Sequence, residues 1–187
     1  MRRFSSYGPV DPTENFCVER RDLVERCVDR LVGNPDKGGH YFTIWAPRQT
    51  GKTWIMRRSI AEIRARYGDR FAVGALSMQG VILDDDQPDE AFFTYVPDRF
   101  LLAFDEKPAV PEDWAAWSRL FSRKEGIFDR PVILCIDEFD SLPRRLTDRL
   151  VTLFRDIYLN REGYLLHGLA LIGVRAALGV DSRTIHL

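Results

Sequence analysis

The order of residue types along this chain predicts a three-layer α/β/α sandwich around a mainly parallel sheet. Segments with helical apolar spacing alternate with short β-branched or apolar runs, and that alternation imposes parallel pairing through right-handed crossovers. Val132–Ile136 is apolar without a break, as a strand covered on both faces has to be. With 187 residues, 45% of them hydrophobic and 29% charged, the chain has the size and composition of one domain with its own core.

Residues 1–14 contain Gly8, Pro9 and Pro12 with few apolar residues and read as an extended N-terminal arm, leaving 15–187 as the core. Leu23, Val24, Cys27, Val28, Leu31 and Val32 place a helix over Glu19–Val32, stopped by Gly33 and Pro35. His40–Ala46 is short, aromatic and β-branched, hence a buried strand. Met56, Ile60, Ile63 and Tyr67 stripe a helix over Lys52–Tyr67 that ends at Gly68. Phe71–Met78 is a second strand. An acidic turn at residues 84–88 leads into a helix over Glu90–Phe104, and a short helix carries Trp114, Trp117, Leu120 and Phe121. After Val132–Ile136 come a helix over Arg144–Asn160 and a fourth strand over Gly168–Val174. The pattern does not give the strand order.

Twenty-seven basic and 28 acidic side chains leave a net charge of -1, which does not suggest a nucleic-acid binder as a whole. The balance is uneven, near +5 over residues 1–80 and -6 over the remainder, so a local basic face stays open. No apolar run is long enough to span a bilayer, and the N-terminus lacks the apolar stretch of a signal peptide. Cys17, Cys27 and Cys135 form no CxxC pair, and His40, His167 and His186 lack metal-ligand spacing. Buried thiols in a reducing compartment, no zinc site and a cytoplasmic location are the expectations.

The informative segment is Ala46-Pro47-Arg48-Gln49-Thr50-Gly51-Lys52-Thr53, set between a strand and the first turn of a helix. That is where a phosphate-binding Walker A loop must sit. Gly51 lets the backbone curl its amides inward, Lys52 reaches the β and γ oxygens of a nucleotide, and the Thr53 hydroxyl ligates Mg²⁺. The helix adds its positive N-terminal end. The pattern G-x-x-x-x-G-K-[ST] is met except at its first position, where Ala46 replaces glycine, a change that a negative φ tolerates. Ala46 through Trp54 are therefore candidate nucleotide-binding residues.

The partner signal is Ile133-Leu134-Cys135-Ile136-Asp137-Glu138. Asp137 emerges at the carboxyl end of a buried strand, the edge where open parallel sheets bind ligands. It would hold Mg²⁺ alongside Thr53, and Glu138 would take a proton from the water that attacks the γ-phosphate. The expected cofactors are ATP and Mg²⁺.

Phe-Cys-Val-Glu-Arg-Arg at 16–21, the loop at 46–53 and Ile-Asp-Glu-Phe-Asp-Ser-Leu at 136–142 together resemble the AAA-like ATPase domains of prokaryotes, within the AAA+/STAND branch of P-loop NTPases. The resemblance covers most of residues 9–180. It implies ATP and Mg²⁺ binding, hydrolysis and a sheet ordered 5-1-4-3-2. It also implies that Val18, Glu19 and Arg20 wall the adenine, and that Arg175 acts near the γ-phosphate as a sensor of its loss. An arginine finger for a neighbouring subunit would come from Arg155 or Arg161. The thirteen residues after Val174 leave no room for the fifth core strand or the helical lid, so the expectation is a core incomplete at its C-terminus.

These readings predict an ATPase module that couples nucleotide state to a conformational signal, acting with a second copy or an effector domain. Two alternatives remain open at this level: a nucleotide-binding switch with negligible hydrolysis, and a DNA-associated ATPase using Arg57, Arg58, Arg64 and Arg66.

Overall fold

The computed structural model describes residues 20–84 and 86–173 and the strand at 184–186. The arm at 1–14, and Val18, Glu19 and Arg175, lie outside them. The elements run α1 (Arg21–Val32), β1 (Tyr41–Trp45), α2 (Lys52–Tyr67), β2 (Ala72–Ser77), α3 (Asp89–Phe93), α4 (Val96–Phe104), α5 (Trp114–Arg119), β3 (Val132–Asp137), α6 (Arg144–Leu159), β4 (Leu166–Gly173) and β5 (Thr184–His186). All pair in parallel, in the order β2-β3-β4-β1-β5. Read from the other edge, this is the 5-1-4-3-2 order that the family resemblance implies.

Alternation along the strands builds two cores. Ile133 and Cys135 of β3, Ala170 and Ile172 of β4, and Phe42 and Ile44 of β1 face α1 and α2. Val132, Leu134 and Ile136, with Leu169 and Leu171, face the layer that holds α3 to α6. Every residue of β3 and β4 is buried, because helices cover both faces of the sheet centre. The three-layer sandwich is the observed architecture.

Two expectations are corrected. The helix predicted over Glu90–Phe104 is two helices, broken at Thr94 and Tyr95. Pro97 is at the start of α4; without an N–H it cannot bond back to Phe93, so one helix cannot run through. The fifth strand, for which no room was expected, is present as three residues pairing with β1, with Thr43 opposite Thr184 and Trp45 opposite His186. So short a strand leaves no apolar run to mark it. The expectation about the lid falls on residues outside those described.

β2 is an edge strand, and Arg64 of α2 donates to its Val73 carbonyl at 2.5 Å. Arg64 is thus tied to the sheet, and Arg66 to Glu25 and Glu62. Arg57 and Arg58 stay exposed. Among the described residues no helix is long and apolar enough to cross a membrane. Cys27 and Cys135 are buried free thiols, and burial pushes the Cys27 thiol up to about 11.

His167, at the start of β4, is buried with Nε2 2.7 Å from the Val32 carbonyl and its ring 4.8 Å from that of Phe71. Burial holds its pKa below the ordinary 6.5, against the Val32 hydrogen bond, and Arg161 and Arg70 push the same way as burial. Above pH ~6.5 the ring is neutral in both states and contributes no pH dependence; below it the unfolded chain takes a proton that the native state refuses, so stability falls. Denaturant unfolding at pH 7.5 and 5.5 should show a loss that His167→Gln reduces, by up to about 1.4 kcal/mol per pH unit. Equal losses in both proteins would rule out His167 as the source.

Candidate functional site

The loop between β1 and α2 lies at the carboxyl end of the sheet. Gly51 caps α2 in the left-handed region (φ 84°, ψ 17°) and makes no side-chain cap bond. The first N–H groups of a sixteen-residue helix are thereby left to a ligand. Gln49 is also left-handed, at φ 63°, whereas Ala46 is not among the residues of positive φ. Ala46 is buried, and its methyl group meets no backbone conflict where the usual pattern has glycine.

Lys52 closes the loop from within. Its Nζ donates to the Ala46 and Pro47 carbonyls, both at 2.8 Å, and the Thr50 hydroxyl donates to Pro47 at 2.8 Å. An ammonium carries three protons, so two are fixed on the loop and one is left for a ligand. Burial pulls the Lys52 pKa down, while the carboxylates of Asp137, then Asp140 and Glu138, counter it.

The acidic strand end meets this loop. Thr53 Oγ1 donates to Asp137 Oδ2 at 2.8 Å across 84 residues of sequence. Asp137 is only 7% exposed, and its other oxygen accepts from the Glu138 amide at 3.0 Å. Glu138 is exposed, with backbone φ 54° and ψ 37°, which turns the chain out of the strand immediately after Asp137. The fold thus brings Lys52, Thr53, Asp137 and Glu138 together. A hydroxyl, a buried carboxylate, an ammonium and the first turn of a helix meet at this end of the sheet.

A chain with the AAA+ sheet order and this loop invites comparison with known folds. No family model and no curated protein sequence matches the chain. Solved structures do. Cdc6p from Pyrobaculum aerophilum superposes with a TM-score of 0.58 at 17% identity, over 97% of this chain and 47% of that one. The Orc1 protein of Aeropyrum pernix, solved in complex with DNA, gives a TM-score of 0.52 at 14% identity, over 92% and 40%. The fold is that of an AAA+-like P-loop ATPase domain. The chain spans less than half the length of either AAA+ structure.

Within this AAA+ fold the other candidates fall as follows. Arg20, expected near an adenine, donates to the Thr50 carbonyl at 3.0 Å and so braces the loop. Trp54 is half-buried with the Arg58 guanidinium 5.9 Å over its ring. It lines a cleft of about 310 Å³ between α1 and α2, with Arg21, Val24 and Glu25. Arg48 and Pro47 are exposed on the loop. Arg155 is exposed on α6. Arg161 is turned inward, donating to Lys37 and Gly39 at 3.4 and 3.1 Å and stacking 4.6 Å over Tyr158. Sequence reading passed over Asp140, although it lies inside the acidic motif; that it sits against Gly173 depends on how β3 and β4 end side by side.

Proposed function

We propose that this chain is an ATP-binding module that hydrolyses the β–γ phosphoanhydride and passes its nucleotide state on as a conformational signal. The observation that carries the reading is the 2.8 Å bond from Thr53 to Asp137, beside the Lys52 ammonium. Nothing about a structural turn requires a buried carboxylate, a hydroxyl and a loop-bound lysine to converge on the start of a helix.

The residues suit magnesium. Thr53 offers a neutral oxygen whose lone pairs stay free while it donates to Asp137, and Asp137 offers the anionic one. A small hard cation takes few protein oxygens and completes its shell with phosphate and water. When bound, Mg²⁺ would neutralise charge on the phosphates. Lys52 would hold the charge that builds on them during transfer. Glu138, exposed at the turn, would accept a proton from water as its oxygen bonds to the γ-phosphorus and the bridging oxygen leaves with ADP.

Trp54 and the cleft beside it would take the base. Val18 as an adenine contact and Arg175 as a sensor enter this proposal through the family resemblance alone. For assembly with a second copy, Arg155 is the arginine free to reach across, since Arg161 is held by two carbonyls. DNA contact is no part of the proposal, because two of the four arginines on α2 are committed within the fold.

Calorimetric titration with Mg·ATP, with phosphate release followed in the same samples, tests the reading. Binding together with release above the blank supports it. Binding without release leaves a nucleotide switch. No binding by a folded chain overturns it.

A further inference from the structure

Arg20 joins two elements that are distant in sequence. Its carbonyl accepts from the Leu23 and Val24 amides, each at 3.1 Å, and so opens α1. Its own backbone, at φ -87° and ψ 62°, stays outside the helix. From there the half-buried side chain crosses to the phosphate loop, where Nη1 donates to the Thr50 carbonyl at 3.0 Å, across 30 residues of sequence. The start of α1 is a firm support for that guanidinium. Cys27, Val28, Leu31 and Val32 are buried in the core that α1 shares with α2 and the sheet.

The bond matters for the amide at the other end of the same peptide group. The peptide bonds of the described residues are trans, and in a trans peptide C=O and N–H point in opposite directions from one rigid plane. A Thr50 carbonyl held toward Arg20 therefore sets the Gly51 N–H on the side away from it. Glycine at φ 84° does little to choose between the two orientations of this peptide, having no Cβ to resist its rotation. Packing does not choose either: a Cβ on Gly51 would meet nothing within 4 Å among the described residues. The Thr50 hydroxyl ties the loop back to Pro47, and the peptide that follows Thr50 is tied by Arg20.

We propose that Arg20 is a positioning residue for phosphate: anchored at the start of α1, it fixes the Thr50–Gly51 peptide so that the Gly51 amide faces the bound phosphates. The inference rests on the ATP reading above. It gives Arg20 a task at the loop, different from the adenine wall that the family resemblance implies.

Arg20→Met keeps the stem and removes the guanidinium, and Arg20→Lys keeps one charged donor. Calorimetry gives dissociation constants for Mg·ATP, and for Mg·tripolyphosphate by displacement of Mg·ATP; the second ligand has the phosphates and no base. Arg20→Met should weaken both by the same factor, about tenfold, as the loss of one charge-assisted bond requires. Arg20→Lys should restore most of the affinity for both. An adenine wall gives a different result, with ATP weakened and tripolyphosphate unchanged, and that overturns the inference while the ATP reading stands. Unchanged affinities in Arg20→Met do the same. So does a loss that follows a lower melting temperature of the ligand-free chain and that lysine does not restore, the mark of a merely structural residue. A wild type that binds neither ligand overturns the ATP reading and this inference with it.

Discussion

Lys52→Ala should weaken nucleotide binding strongly and leave the chain folded. The ammonium lies within the loop, on the Ala46 and Pro47 carbonyls. Its loss removes charge-assisted bonds to phosphate worth about 1.5–3 kcal/mol. Dissociation constants for Mg·ATP should rise by roughly ten- to a hundredfold. The fold has little at stake, because Thr50 still bonds to Pro47, Arg20 still holds Thr50, and β1 and α2 are set by the core. The check is a melting curve with and without Mg·ATP. A ligand at a hundred times its dissociation constant stabilises by about 2.7 kcal/mol, so the wild type should shift and the variant should shift much less. A variant that shifts as far as the wild type would place the nucleotide elsewhere.

Glu138→Gln should separate turnover from binding. The side chain is exposed, and glutamine matches its shape, so stability should stay within about 0.5 kcal/mol. What changes is the capacity to take a proton from water, an effect of roughly 10²–10⁴ in rate. Phosphate release should fall by at least about a hundredfold while Mg·ATP affinity stays within about threefold. If release is unaffected, Glu138 is not the base. If the wild type shows no release to lose, the chain is a nucleotide switch.

The sequence discloses those parts of the molecule whose causes are local. An apolar run without a break becomes β3 because nothing polar interrupts it, and Gly51-Lys52-Thr53 announces a loop because strand and helix patterns flank it. The break before α4 was less visible: the apolar spacing runs through Thr94 and Tyr95, and only the missing N–H of Pro97 parts the two helices. Two further features depend on residues distant in sequence. β5 is too short to carry a pattern and exists through its pairing with β1. Asp140 lies in plain view within the acidic motif, yet its place against Gly173 follows from the relative register of β3 and β4. The strand order also lay beyond the apolar pattern, and came only with the resemblance.

The backbone at Glu138 has an implication for what this chain was selected to do. A non-glycine residue in the left-handed region costs roughly 1–2 kcal/mol, and glycine or asparagine would sit at φ 54° with less strain. Selection for thermal robustness alone would drift away from glutamate at this position. An acid there, directly after a buried aspartate, sets the chemistry of that turn against the stability of the fold.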